Sequence, residues 1–187
     1  MHYPEVITAT FEHTVEDITN QTNNMLNQSF IAELQHEAAS TKRMLERVPA
    51  DKFDWKPHPK SMTLGRLATH VAELPGFLNS ILTMDEFDFA KGHYKASHAT
   101  TPEELMNVFQ QKQDEVVQTL QNTSDEKMQA NFTLRSGDHV FGTMPRVAAI
   151  RPMALNHLIH HRAQIAVYLR LLDIPVPGLY GPSADEM

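Results

Sequence analysis

The sequence predicts an all-α protein: a four-helix bundle with a short hairpin or loop before the last helix and an extended, proline-rich C-terminal tail. Three observations lead to this fold class. Four segments repeat apolar residues at spacings of three and four, which is the period of an amphipathic helix. Strand signals are almost absent, and prolines in the connections exclude helix there. Such helices bury their apolar faces against one another.

The first predicted helix covers about residues 28–48. Its apolar face comprises Phe30, Leu34, Ala38, Thr41, Leu45 and Val48. The preceding residues, 1–26, are polar and lack apolar anchors, so they are expected to form a poorly packed extension. Residues 27–187 are then expected to form a single domain. The connection at 48–61 contains three prolines and is expected to be extended.

The second predicted helix covers about residues 62–83. Ser61 or Thr63 can cap its start, and Pro75 predicts a kink or a local break inside it. Its apolar stripe consists of Leu67, His70, Leu74, Phe77 and Ile81. A histidine therefore occupies a position where the pattern calls for an apolar residue.

The third predicted helix begins at Thr101, which can cap it. Pro102 suits the first helical position, and Glu104 completes a capping box. The apolar face consists of Leu105, Phe109, Val116 and Leu120.

The fourth predicted helix covers about residues 145–172, with Pro152 as a kink or as its true start. Before it, residues 131–142 alternate weakly around a Ser-Gly-Asp turn and predict a small hairpin. After it, residues 173–187 contain three prolines and two glycines, and are expected to form an extended tail.

The composition limits the classes of function. The chain of 187 residues has a formal net charge of −7 and no run of Lys or Arg, which argues against nucleic acid as a partner. No apolar run approaches the roughly 18 residues of a membrane span, so a soluble, cytoplasmic protein is expected. The absence of cysteine excludes disulfides, thiolate ligands and a cysteine nucleophile.

Three histidines face the predicted core. His157 and His161 lie four residues apart on the apolar stripe of the fourth helix, so their Cβ atoms are about 5–6 Å apart on one face. His70 faces inward from the second helix. Burying three unpartnered imidazoles would be costly, whereas one cation bound at about 2.0–2.1 Å could satisfy all three. Periodicity therefore predicts a metal site with three nitrogen ligands.

The histidines have two other interpretations, a bundle without metal and a di-iron site. Core histidines are usually satisfied by hydrogen bonds, so a bundle without any metal stays open. Glu33 and His36 form one copy of the ExxH motif of di-iron bundles, but that chemistry requires two copies. His36 also lies about 200° around the helix from Leu34, on the solvated side. The di-iron interpretation is therefore rejected.

Three stretches carry a resemblance to a known family. They are "LGRLATHVAELPGFL" at 64–78, "NHLIHHRAQIAVYLRLLDIPVPGLYGPSADE" at 156–186 and "DWKP" at 54–57. Together they resemble the DinB-like (damage-inducible) family of four-helix proteins, from about residue 28 onward. The resemblance implies an up-down-down-up bundle, often dimeric. It also implies a zinc or nickel site formed by His70, His157 and His161.

The expected function is metal-dependent chemistry on a small molecule. One divalent ion, zinc or nickel, would bind a low-molecular-weight thiol as thiolate, or activate water, for attack on an electrophile. The enzyme would then be a thiol transferase or a hydrolase, expected as a homodimer with no membrane partner. Any thiol must come from outside the chain, which has no cysteine.

Several polar residues near the histidines are candidate supporting groups. Gln164, Tyr168 and His160 are the first candidates, and Glu37 and Thr41 lie near the stripe of the first helix. Arg162 could bind an anionic substrate, although an arginine beside an apolar stripe is expected to face water.

A non-catalytic protein is the main alternative. In that case the ion would staple the bundle of a stress-related binding protein. A fourth protein ligand would favour this alternative, and an open coordination position in a cleft would favour catalysis.

Overall fold

The structure, a computed structural model, is mostly helical with a small three-stranded sheet, and it describes residues 25–187. The predicted extension at 1–26 therefore lies almost entirely outside the described residues. The helices are α1 (Met25–Leu45), α2 (Leu64–Thr83), α3 (Pro102–Gln121), α4 (Asp125–Gln129), α5 (Arg146–Ile150) and α6 (Asn156–Leu171). The strands are β1 (Glu86–Asp88), β2 (Asn131–Ser136) and β3 (His139–Pro145). None of the helices described is long and apolar enough to cross a membrane.

The four predicted helical segments are all helical, and two of the predicted caps are present. The hydroxyl of Thr63 accepts a hydrogen bond from the backbone N–H of Arg66, and that of Thr101 accepts one from Glu104. These bonds satisfy N–H groups that the first helical turn leaves unpaired. The local break expected at Pro75 does not occur, because α2 continues through it to Thr83. Pro75 itself is buried in the stripe that packs this helix.

The small sheet corrects the prediction of an all-α protein. The predicted hairpin is present as the antiparallel pair β2–β3, with Gly137 in the left-handed region (φ 57°) that favours glycine. The strand β1 was not predicted, because three residues are too few to show a period. It pairs in parallel with β2, and Phe87 at its centre is buried.

The last helical segment contains a π turn at Arg151–Leu155, which joins α5 to α6. Pro152 lies inside this turn, so it neither ends the helix nor starts it. A π turn is compatible with proline because one intrahelical hydrogen bond is already lost there. The following helix, α6, begins at Asn156, one residue before His157.

The apolar core has two parts along the length of the helices. One part joins α1, α2 and α3 to the sheet and α5, with Phe30, Leu78, Phe87 and Phe132 among its members. The other joins the same three helices to α6, with Leu45, Leu67, Phe109 and Ile165 among its members. Leu155 belongs to the first part and Leu158 to the second, so the start of α6, with His157, lies where the two parts meet.

A buried arginine corrects a second expectation. Arg162 does not face water: it is 1% exposed and forms an ion pair with Glu37 of α1 at 2.6 Å. It also donates to the Glu37 carbonyl and the Thr41 hydroxyl, each at 3.0 Å, and to the Tyr180 hydroxyl at 2.5 Å. Tyr180 in turn donates to the Glu37 carboxylate at 2.8 Å. This network joins α1, α6 and the C-terminal segment.

The Arg162 network predicts a large loss of stability when the arginine is removed. Arg162→Ala leaves the Glu37 carboxylate buried and unpaired, so the free energy of unfolding should fall by about 3 kcal/mol. Urea denaturation followed by circular dichroism measures this change. Arg170→Ala on the same helix removes an exposed pair with Asp185 and serves as the control. Equal denaturation midpoints for the two variants would contradict the assigned role.

Candidate metal centre

The structure brings His70, His157 and His161 together between α2 and α6. The Nε2 atom of His157 lies 3.4 Å from that of His70 and 2.9 Å from that of His161. One nitrogen of each ring lies within 4.8 Å of the other two. The rings come from two helices, and the four-residue spacing on α6 places His157 and His161 on one face.

The other ring nitrogen of each histidine faces a hydrogen-bond acceptor. His70 Nδ1 lies 3.0 Å from the Glu73 carboxylate, and His161 Nδ1 lies 2.6 Å from the Gln164 amide oxygen. His157 Nδ1 faces the Met153 carbonyl at 3.4 Å, a longer contact. Because these partners can only accept, the proton of each neutral ring belongs on Nδ1. Each Nε2 atom is then left with a lone pair.

Three lone pairs that face one another form a site for a cation. Without a proton or a metal between them, acceptors 2.9–3.4 Å apart repel. A tetrahedral zinc ion with bonds of about 2.0–2.1 Å holds its nitrogen ligands about 3.3 Å apart. Histidines that bind metals almost always donate the other ring N–H to a carboxylate, a carbonyl or water, as these rings do. The three side chains therefore fit a divalent ion.

The electrostatics of the cluster favour the form of histidine that binds metals. Burial lowers the pKa of His157 and of His161, since desolvation disfavours the charged imidazolium. The other imidazoles of the cluster lower both pKa values further. Neutral rings are the metal-binding form.

Glu73 is hydrogen-bonded both to the histidine cluster and to neighbouring residues outside it. It is 8% exposed, and one of its carboxylate oxygens lies 3.0 Å from His70 Nδ1. The same oxygen accepts from Arg66 (3.0 Å) and from the Tyr94 hydroxyl (2.7 Å), and the second oxygen accepts from the Ser97 N–H (2.7 Å). Burial alone would raise the pKa of Glu73, but these donors lower it to about 2. The carboxylate is therefore ionised and holds His70 and the loop at 92–101 together.

A cavity of about 440 Å³ opens beside the cluster. His70, His157 and Glu73 are among its lining residues. The rest of its wall comes from α2, α3, the β1 region and the loop at 92–101. A small molecule in this cavity would lie against two of the three histidines.

The remaining candidate residues lie in different places. Gln164 contacts His161, and its amide nitrogen donates to His160 Nε2 at 3.1 Å. The His160 ring also packs edge-on against the His161 ring, with centroids 4.9 Å apart. Tyr168 packs edge-on against Trp55, with its hydroxyl 3.4 Å from the Met62 carbonyl, and makes no hydrogen bond to the cluster within residues 25–187. Glu37, Thr41 and Arg162 belong to the network that joins α1 to α6.

Sequence reasoning missed Glu73 and its partners. The spacing of three between His70 and Glu73 was a usable signal, since residues three apart on a helix are neighbours. The order His-x-x-Glu is the reverse of the ExxH motif, so this pair does not match a di-iron signature. No pattern marked Tyr94 or Ser97, because both lie in an irregular loop.

The fold and the cluster together define a helical protein with a candidate three-histidine metal centre. The sequence profile of the DinB family matches residues 20–187. The chain therefore belongs to the DinB family, as the resemblance implied. The match begins before α1, within the residues that were expected to form an extension.

Three individual proteins are similar to this chain in sequence or in fold. The chain is 24% identical over 157 residues to an uncharacterized protein, YrdA, of Bacillus subtilis strain 168, covering 84% of this chain and 89% of the relative. A DinB-like protein of Bacillus cereus ATCC 10987 matches with a TM-score of 0.62 and 23% identity, over 82% of this chain and 97% of its own. The DinB-like protein YjoA of Bacillus subtilis matches with a TM-score of 0.62 and 15% identity, over 82% and 99%. The two structures share the fold.

The contacts of Glu73 predict its effect on metal binding. Glu73→Ala removes the acceptor that orients His70, so zinc affinity should fall by about 10–100-fold. Competition with a chromophoric chelator measures the affinity. Glu73→Gln keeps an acceptor oxygen at this position and should lose less.

The control for this prediction is Glu103→Ala, which changes an exposed carboxylate in the first turn of α3. It should bind zinc as the unchanged protein does. Wild-type affinity in Glu73→Ala, with the fold intact by circular dichroism, would contradict the orienting role.

Proposed function

We propose that this protein is a metal-dependent enzyme that transfers a low-molecular-weight thiol, or water, to a small electrophile. His70, His157 and His161 would hold one divalent ion, zinc or nickel. When bound, such an ion supplies Lewis-acid chemistry, which makes a thiol or water acidic enough to provide a nucleophile near neutral pH. In the thiol reaction the sulfur bonds to the electrophilic carbon, the leaving group departs with its electron pair, and the thiol proton passes to solvent.

The convergence of the three Nε2 atoms beside a cavity supports this proposal best. Within residues 25–187, no fourth His, Cys, Asp or Glu belongs to the cluster. Three protein ligands are typical of catalytic zinc sites, which keep a position for water or substrate. Glu73 does not close the site, because its two oxygens are occupied by four donors on the Nδ1 side of His70.

The protein's own residues have defined tasks in this proposal. Glu73 and Gln164 orient the imidazoles through their Nδ1 atoms, which keeps the Nε2 lone pairs aimed at one point. The aromatic side chains that line the cavity, Phe77, Phe87 and Phe89, exclude water from the reacting groups. The thiol would be an external molecule, since the chain has no cysteine.

The finer sequence-based assignments also belong to the proposal. The family resemblance implies the up-down-down-up order of the helices and a homodimer. The composition and charge of the sequence favour a cytoplasmic location and no nucleic-acid or membrane partner. Zinc and nickel both suit three imidazole ligands, and cellular supply often decides between such metals.

A structural role for the ion is the second candidate. His70 belongs to α2 and the other two histidines to α6, so an ion bound by all three would cross-link two helices. A stress-related binding protein could use the ion in this way without catalysis.

The triad predicts how metal content responds to substitution. His70→Ala removes one of three ligands, so protein purified without a histidine tag should lose most of its zinc or nickel by elemental analysis. Thiol transfer to chlorodinitrobenzene, or hydrolysis of nitrophenyl acetate, should fall with it. His36→Ala changes an exposed histidine and should keep both metal and activity. Wild-type metal affinity in His70→Ala would refute the triad.

Metal removal separates the catalytic role from the structural one. If the ion is catalytic, chelation should abolish turnover and lower Tm by only a few degrees, because the two core clusters and the Arg162 network remain. If the ion staples the helices, its binding free energy contributes to folding and chelation should lower Tm steeply. Differential scanning calorimetry with and without chelator distinguishes the two. A steep fall in Tm with no turnover in any assay would favour the structural role.

A further inference from the structure

The cavity beside the histidine cluster has a chemically uneven lining. Its lining includes His70 and His157, several aromatic side chains and two lysines, Lys95 and Lys112. Its volume of about 440 Å³ is within the range of cavities that bind small organic molecules. The chemistry of these lining residues therefore indicates the class of ligand that the cavity can bind.

The aromatic wall is continuous and partly exposed. Phe77, Phe87 and Phe89 stack edge-to-face with ring centroids 5.1 and 5.3 Å apart, and Tyr94 follows Phe89 at 6.4 Å. Phe89 is 43% exposed and Tyr94 is 41% exposed, although both line the cavity. Aromatic surface left open at the rim of a cavity is suited to cover the apolar body of a ligand.

Lys112, another lining residue, is held in place by two contacts. Its aliphatic chain crosses α2 at Gly76, where a Cβ atom would lie only 2.8 Å from Lys112 Cδ. Its Nζ atom pairs with Glu115 at 2.9 Å. Since an ammonium group has three donors, this ion pair leaves N–H groups available to a ligand. The lack of a side chain at Gly76 thus allows α3 to deliver a cation to the cavity.

Lys95 provides a second cation, on the loop at 92–101. Its side chain is exposed and makes neither an ion pair nor a hydrogen bond within the described part of the chain. The neighbouring His93 accepts a hydrogen bond at Nδ1 from the Asp88 N–H (3.0 Å), so its neutral ring carries the proton on Nε2. His93 thus offers a further donor among the lining residues.

The one carboxylate named in the lining does not neutralise the charge of these lysines. Glu73 is the carboxylate among the lining residues, and Arg66 and His70 already face its charge. Lys112 already faces Glu115, so Lys95 is the lysine of this lining that has no carboxylate partner within residues 25–187, in a chain whose net charge is −7. A local charge opposite to that of the whole chain selects ligands of the complementary sign.

We propose that this cavity binds a small organic anion with a planar apolar body. Its carboxylate, or an equivalent oxyanion, is received by Lys95 and Lys112, and its apolar body lies on Phe77, Phe89 and Tyr94. The assignment of this ligand as the electrophilic substrate rests on the proposed function. The binding site itself does not, because none of the side chains that select the anion is a proposed metal ligand.

The test compares two probes of the same shape that differ in charge. Naphthoate is an anion and naphthamide is its neutral isostere. Isothermal titration calorimetry at pH 8, where histidine is neutral, should show that naphthoate binds about tenfold more tightly than naphthamide. The full chain is used both as purified and after chelation, and the preference is expected in both forms.

Matched variants assign the preference to named side chains. Lys95→Met and Lys112→Met should each raise the Kd of naphthoate about three- to tenfold and leave that of naphthamide within about twofold. Gly76→Ala should act as Lys112→Met does, because the new methyl group displaces the lysine chain while alanine favours the helix. Phe89→Ala should weaken both probes. Lys60→Met changes an exposed lysine outside the cavity and should change neither.

Four outcomes would overturn the proposal: no detectable binding of naphthoate, equal affinity for the two probes, lysine variants with the wild-type ratio, or an anion preference found only in the metal-loaded protein. In the last case the ion, and not the lysines, would hold the carboxylate. The chelated protein keeps this test independent of catalysis. A preference there, with no turnover in any assay, would refute the proposed enzyme and keep the site.

Discussion

The buried ion pair between Arg162 and Glu37 sets the orientation of α6, and the candidate metal centre depends on that orientation. Successive residues of an α-helix are rotated by about 100° around its axis. The choice of the α6 residues that face α1 therefore also fixes which α6 residues face α2. With Arg162 held against α1 by Glu37 and Thr41, His157 and His161 face His70. A charge pair of this kind adds little net stability compared with apolar packing, but it strongly disfavours orientations that separate the charges.

Much of the helical structure and the hairpin β2–β3 could be predicted from local patterns, and the strand β1 could not. The apolar face of α3 and the cap at Thr101 are local signals, and both are present. The Glu104 carboxylate, expected to complete a capping box, accepts from the N–H and the hydroxyl of Thr100. The strand β1 depends on pairing with β2, about 45 residues later in the chain, and a segment of three residues has no period of its own. Similarly, the π turn around Pro152 depends on the packing of the residues on both sides of the proline. The tendency of proline to break helices does not predict such a turn.

In the candidate site, too, some residues were predictable from local patterns and others depend on contacts between distant parts of the chain. Periodicity brings His70, His157 and His161 to facing sides of two helices, and the structure places them together. The residues that give the site its chemical character come from irregular segments: Tyr94 and Ser97 reach Glu73 from a loop with no sequence signal. Arg162 was expected to face water because its charge suggested the surface, and only the facing carboxylate of Glu37 makes its burial possible.

The π turn at Arg151–Leu155 has a consequence for the evolution of this chain. A π turn contains one residue more than the α-helical turn it replaces. Adding or removing a residue there therefore rotates every following side chain by about 100° around the helix axis. Such a change would move both α6 imidazoles off the face that meets α2. Insertions and deletions should therefore be tolerated in the hairpin and the C-terminal segment of homologous chains, and be rare between Pro152 and His157.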